Sequence, residues 1–531
     1  MRRTFLKASL VALAVATGLV QLPSIADAAT RGGKMVYARY ADSLFLDPVL
    51  NDANVDIWVL TNLYDTLLQP TADGLGVQPG LATKWDVSGD GKTVTLALRP
   101  GVKFADGSAL TADDVKWSLD RARDPKAGAW NSSLASIESV SVSGPETVTL
   151  ALKHPDPTIL PALATFNSAI LPQKAFESSP GATPEEKAKS FAEKPIGTGP
   201  FVMTAWKRGV SMTLKRNPYY WKQGEDGKPL PYLDELEFQI IPDDATRLLK
   251  LKAGEIDGTE FIPYARVKEL QADPNLRMEL WPSTRVRYLT FYCGPTYKDG
   301  KPNPVANPKV RQALNYAVNK DAIIQITTLG LGKPMRSFMS ATTPLFVGQD
   351  NLYKYDLAKS KALLAEAGMA NGFDLQIYSL SGNGDDANDL AAVQQMWAQV
   401  GVKLRIDQVD NATRTARYRE ENFGMRTSAW TNDISDPSQI TSYFAYWPNI
   451  HSLHSNWQDK RVDELFEKSQ QEIDPKARAE QYREIQQRYN ESAPILYLYE
   501  TPYPVAFRKN AKGFVQIPLG NNLFEAAYIE K

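Results

Sequence analysis

The sequence predicts an α/β protein built as more than one lobe. Three observations lead there. Strand-like and helix-like patterns alternate along the chain, which is the signature of mixed α/β architecture. At 531 residues with 43% hydrophobic content, the chain exceeds what a single core normally supports. No low-complexity linker divides it; the Pro/Gly-rich stretch KDGKPNPVANP at 298–308 is the nearest thing to one.

Taken in order, KMVYAR at 34–39 reads as a short strand, followed by a turn through Asp42, Ser43 and Leu44 to Leu46-Asp47-Pro48. Asn54 to Leu68 carries Val55, Val59, Leu60, Leu63 and Leu67 at helical spacing. Lys84 to Lys92 places a turn between strand patterns, and TVTLALR at 93–99 alternates as a half-buried strand should. Thr111 with Asp113 and Asp114 makes a helix start, with a capping hydroxyl and acids in the first turn. Gly197, Gly199 and Pro200 punctuate a loop ahead of a strand and read as a required backbone path rather than a phosphate cradle. Pro242 to Thr246 forms a helix entrance whose acids cap rather than bind. Val310, Leu314, Ala317 and Val318 form one apolar helix stripe.

The N-terminus reads as an export signal over 1–29. Arg2, Arg3 and Lys7 precede an apolar run from Ala8 to Val20, and Ala26-Asp27-Ala28 offers a cleavage site. The order RRTFLK resembles a twin-arginine motif. The formal charge is −1; residues 1–29 hold three positive charges and one negative, so the remainder carries −3. Neither value gives an electrostatic reason to expect nucleic acid or an anionic membrane as partner. Cys293 is the only cysteine, which excludes an intramolecular disulfide and a signal-proximal lipidated cysteine. A soluble periplasmic location is therefore expected.

One stretch stands out, RTSAWTNDISDPSQITSYFAYW at 426–447. Arg426, Ser428 and Trp430 would share one strand face, and Asn432, Asp433, Ser435, Asp436 and Pro437 then break the strand into a turn. An indole and an acid leaving a strand end together suit a pocket for an organic cation. Turn shaping by Asp and Pro, with the Trp as packing, is the plainer reading of the same residues. A secreted hydrolase has little to build on: there is no HExxH, GxSxG or Walker A sequence, and only three His. His451 and His454 could share a helical face but lack an identifiable third metal ligand. Nothing marks a base beside Cys293. Arg414, Arg417 and Arg419 read as a solvated helix face. No catalytic residue, metal or cofactor is expected.

Residues 81–122, LATKWDVSGDGKTVTLALRPGVKFADGSALTADDVKWSLDRA, resemble the hallmark segment of family 5 extracellular solute-binding proteins, the peptide and nickel class serving ABC importers. Collinear likenesses continue through PIGTGPF (195–201), KRNPYYW (215–221), NPKVRQALNYAVNKDAI (307–323), AKSKALLAEAG (358–368), WTNDISDP (430–437) and DPKARAEQYREIQQRYNESAPILYLY (474–499). The resemblance implies a two-lobed periplasmic binding protein fold, type II-like, with a hinge and an additional subdomain inserted in lobe I. Transferred here, lobe I takes 30–70, 195–288 and 500–531, the insertion 71–194 and lobe II 289–499. The hinge is then expected near Arg285 to Leu289 and near Tyr499 to Pro504.

The resemblance also implies a site. In peptide-binding relatives an extended ligand adds to strands of both lobes, here at Asp42–Leu44, including Ser43, and at Ala429–Thr431. The acid of the WxxD pattern neutralises the ligand's α-ammonium, which by motif is Asp433. Trp430 and Asn432 adjoin it, and Trp130 matches a Trp of nickel-type relatives. Dipeptide-type relatives offer an Arg for the ligand carboxylate in the loop that here reads SLSGNGDDAND at 379–389. That loop has no basic residue, and Asp385, Asp386 and Asp389 make it acidic; Arg426 is a substitute by strand parity only. The expectation is a non-catalytic, monomeric binding subunit that captures a peptide-like solute and delivers it to ABC permease subunits. An oligosaccharide, opine or metal chelate is the alternative ligand.

Overall fold

The computed structural model describes residues 29–531 apart from 52, 53, 127, 129 and 382. The export-signal reading therefore lies, Ala29 excepted, outside the described residues. The fold is organised by two large sheets. A seven-stranded sheet orders its strands as Leu276–Trp281, Tyr503–Arg508, Gly258–Thr259, Lys34–Arg39, Glu235–Ile240, Ser211–Arg216 and Phe201–Lys207. A six-stranded sheet runs Lys333–Pro334, Ile495–Glu500, Val286–Phe291, Met425–Trp430, Phe373–Leu380 and Val402–Val409. Each carries its own apolar cores: Tyr37, Phe238, Phe507 and Phe524 under the first, Leu289, Ile377, Trp397 and Met425 under the second.

The chain passes between these sheets twice, across 282–285 and across 501–502. Leu289 lies mid-strand, beyond the first crossing. Ser283 Oγ donates to the Thr501 carbonyl, and Thr501 N–H donates to the Arg285 carbonyl at 3.4 Å, so the two crossings are stitched together.

Local structure follows side-chain chemistry. The hexapeptide TVTLAL occurs twice, at Thr93–Leu98 and Thr147–Leu152, and the copies pair antiparallel in a four-stranded sheet. In both, Val and Leu at alternate positions are buried, as a two-residue period requires. Thr111 and Asp114 form a reciprocal capping box ahead of helix Ala112–Ala122. Asp243 caps helix Asp244–Ala253 by accepting from Thr246 N–H.

The first helix is shorter than its apolar spacing predicts: it covers Asn54–Leu63 and stops before Leu67. The reason is tertiary. The Leu63 carbonyl accepts from Gly199 N–H at 3.1 Å. A Cβ on Gly197 would stand 2.1 Å from the Leu63 carbonyl oxygen, and one on Gly199 2.5 Å from its carbon. Leu67 is still buried, but in the core of the four-stranded sheet. Arg414 and Arg417 are half-buried rather than solvated, Arg417 lying 4.9 Å from the Tyr378 ring. Their helix, Asn411–Arg419, packs on the strand Phe373–Leu380, which draws the arginine stems under cover.

Candidate binding cleft

The ends of several strands and residues of three helices converge on a cavity of about 710 Å³ beside the two crossings. Its wall on the seven-stranded side is aromatic. Tyr40 follows the strand Lys34–Arg39, Trp58 projects from the first helix, and Phe261 and Tyr264 come from the loop after Thr259. Tyr40 meets Phe261 edge-on at 5.0 Å, and Phe261 tilts over Trp58 at 5.3 Å. Phe261 holds φ +51°, a conformation costly for a bulky L-residue and typical of functional sites.

The opposite wall comes from the six-stranded side. Ala429, Trp430 and Thr431 end the strand Met425–Trp430, Asn383 to Asp385 open the helix Gly384–Ala398, and Arg285 ends the first crossing. Trp430 is held in place: Nε1 donates to Asn432 Oδ1 at 2.7 Å, and its ring lies 4.8 Å from Tyr443 and edge-on to Phe444. Asn432 is buried, its N–H donating to Thr284 Oγ1 at 2.9 Å and its amide to Thr343 Oγ1 at 3.2 Å. With its N–H, Oδ1 and Nδ2 all engaged, Asn432 holds the Trp430 ring in place.

Asp433 follows in the turn. Gln439 grips it twice, accepting from its N–H at 2.8 Å and donating to its carboxylate at 2.9 Å. Burial pushes its carboxyl up to about 6, against the Gln439 hydrogen bond. No cation among the described residues forms an ion pair with it. It lies close enough to the cavity to act on the wall residue Tyr503, whose hydroxyl is raised by burial and by Asp433 while Arg285 pulls it down.

The acidic loop divides in two. Asp386 and Asp389 turn inward onto the buried Arg287, whose guanidinium bonds Asp386 and, at 2.9 Å, Asp389. Thr427, Thr327 and Tyr499 complete their hydrogen bonds. Only Asp385 faces the cavity. Its place in the first turn of a helix favours its negative charge.

Other residues singled out in the sequence lie elsewhere. The Ser43 side chain is 3% exposed and turned toward the Val55 carbonyl, because the bend after Tyr40 aims it into the lobe rather than the cavity. Trp130 packs edge-on to Phe166 at 5.3 Å, off the cavity wall. Arg426 stacks on Tyr418 at 3.8 Å, four residues down the strand from Trp430. His451 and His454 both face Glu421. Burial pushes the Cys293 thiol up, the wrong direction for a nucleophile. Sequence reasoning missed Arg285 and the aromatic wall of Tyr40, Trp58, Phe261, Tyr264 and Tyr503, which share no motif or period. Among the described residues no helix is long and apolar enough to cross a membrane.

Comparison with known proteins agrees with this architecture. The description "Bacterial extracellular solute-binding proteins, family 5 Middle" matches residues 76–452. The dipeptide-binding protein of Escherichia coli K12 is 30% identical over 492 residues, spanning 88% of this chain and 89% of its own. The glutathione-binding protein GsiB of Salmonella typhimurium is 29% identical over 521 residues, 96% of each chain. Among solved structures, the periplasmic binding protein DppA of Helicobacter pylori in complex with the peptide STSA aligns with a TM-score of 0.79 at 26% identity. That alignment covers 94% of this chain and 99% of DppA. With a family match over most of its length and a relative at 30% identity, this chain belongs to family 5 of the bacterial extracellular solute-binding proteins.

Proposed function

We propose that this protein is the periplasmic binding subunit of an ABC importer, capturing a peptide-like solute between its lobes and presenting it to a membrane permease pair as a monomer. The hinge of this reading is the pair of crossings at 282–285 and 501–502. The observation that carries the ligand class is Asp433, a half-buried carboxylate with no cationic partner among the described residues, next to a cavity walled by Trp430 and by aromatic rings from the other lobe. A ligand ammonium supplies the missing charge, and the aromatic walls exclude water around the pair. Burying such a pair costs desolvation on both sides, so it sets orientation and specificity more than raw affinity. The named ligands of the relatives, dipeptides and glutathione, both present an α-ammonium.

A thermal-shift panel of dipeptides, tetrapeptides, glutathione, opines, sugars and nickel chelates tests the reading, since a specific ligand raises the melting temperature by mass action. Peptides or glutathione should stabilise. Stabilisation by a sugar alone would assign the aromatic walls to stacking on a neutral ring and overturn the peptide reading.

A further inference from the structure

Asp433 lies beside the cleft and bears on its wall residue Tyr503, while the loop at 379–389 carries no basic side chain. Two arginines line the cavity. Arg247 is committed: its guanidinium bonds Asp244 and donates to the carbonyls of Ile241 and Pro242 at 2.8 and 2.9 Å. The two buried arginines nearby are committed as well, Arg39 lying 3.7 Å from Glu260 and Arg287 pairing with Asp386 and Asp389. The Arg285 side chain has no hydrogen bond and no acid within ion-pair distance among the described residues, although it is only partly exposed.

Its backbone, in contrast, is hydrogen-bonded. Arg285 N–H donates to Ser283 Oγ at 3.0 Å and its carbonyl accepts from Thr501, so it is tied to both crossings. The next residue, Val286, pairs with Trp430, which sets Arg285 beside Thr431 and two residues from Asp433 along the facing segment. The guanidinium thus projects from a hydrogen-bonded base into a cavity bounded by Tyr40, Tyr264 and Tyr503. Asp385 lines the same wall and forms no ion pair with Arg285 among the described residues.

We propose that Arg285 binds the carboxylate of the ligand, so that the cleft selects a zwitterion held by its ammonium at Asp433 and by its carboxylate at Arg285. This rests on the peptide-like reading above and narrows it to compounds with a free acid group. A guanidinium offers two parallel N–H donors to a carboxylate, a geometry that an amide or ester does not match.

The test is calorimetry with Ser-Thr-Ser-Ala and Ala-Phe, each as free acid, C-terminal amide and N-acetyl derivative, on the wild-type chain, Arg285→Met and Arg285→Lys. The wild type should bind at least one free acid roughly thirtyfold or more tighter than its amide. Arg285→Met should bind acid and amide alike while still rejecting the N-acetyl form, and Arg285→Lys should fall between them because a lysine retains charge without the bidentate fork. Circular dichroism on each variant confirms folding, and the wild-type acid-to-amide ratio stands without any variant. If the wild type binds a peptide but does not distinguish acid from amide, or if Arg285→Met keeps the distinction, the Arg285 assignment is overturned while the peptide reading survives. If neither peptide binds in any form, both fall.

Discussion

At the residue scale the informative group is Asp433, because its environment opposes its charge. Burial lifts its carboxyl from the ordinary 3.8 to about 6, so the folded state holds the proton more tightly than the unfolded chain. Its contribution to stability is then fully present below about pH 4 and is lost as pH rises through about 6. The whole shift bounds the effect at about 3 kcal/mol. A ligand ammonium reverses the preference, since it binds the ionised form. Two outcomes follow for Asp433→Asn. Without ligand, its melting temperature should equal or exceed that of the wild type at pH 7.5, and the gap should shrink toward pH 4. With a peptide that binds the wild type, calorimetry should show a loss of about 2–5 kcal/mol at pH 7.5. The wild type should also weaken as pH falls from 7 to 5, a trend the Asn variant should lack. A variant less stable at pH 7.5 would mean that the carboxylate serves the fold, not the ligand.

At the scale of elements, the strand Met425–Trp430 divides two tasks between its faces. Trp430 ends on the cavity, while Thr427 is buried and donates to Asp386, joining the network of Arg287, Asp389, Thr327 and Tyr499. That network locks the helix Gly384–Ala398 to the strand Val286–Phe291 and so fixes the Asp385 wall of the cleft. Arg287→Met would leave two buried carboxylates without their cation, and a loss of about 3–5 kcal/mol in denaturant unfolding is expected. The sequence made the strand legible through its alternation and the helix start at Thr111 through its capping pattern, because both are local. It could not divide the acids of 385–389, since the cation that claims Asp386 and Asp389 lies about a hundred residues away. The Trp430 wall of the cavity falls within one motif, whereas the facing aromatic wall joins Tyr40, Trp58, Phe261, Tyr264 and Tyr503 from four separate segments. The same limit applies to the first helix, whose apolar spacing runs on to Leu67 while Gly199 ends it at Leu63. Gly199→Ala should therefore cost about 1–3 kcal/mol, read as a lowered denaturation midpoint, because its Cβ would strike the Leu63 backbone.

At the scale of the whole molecule, the two sheets are joined by short crossings of four and two residues, stitched by Ser283–Thr501 and Thr501–Arg285 hydrogen bonds. Few dihedrals lie between the two sheets, and hydrogen bonds tie those present together, so bending about the crossings is the expected relative motion. The cavity lies beside the crossings, with its aromatic wall on one lobe and Trp430, Asp385 and Arg285 on the other. A ligand touching both walls favours the closed arrangement by its differential affinity for it, and only by that amount. Two measurements should then move together on adding a binding peptide such as Ser-Thr-Ser-Ala. The radius of gyration from small-angle scattering should fall, and the melting temperature should rise with ligand concentration, by the equivalent of about 2.7 kcal/mol at a hundredfold excess over Kd. Asp433→Asn should shift the scattering curve to higher ligand concentration without changing its plateau, and the ligand-induced rise in melting temperature should begin at correspondingly higher concentration, since the variant weakens a contact and leaves the crossings intact. A rise in melting temperature at constant radius would instead mean that the lobes are closed before the ligand arrives, making the cleft a preformed pocket rather than a hinge-operated trap.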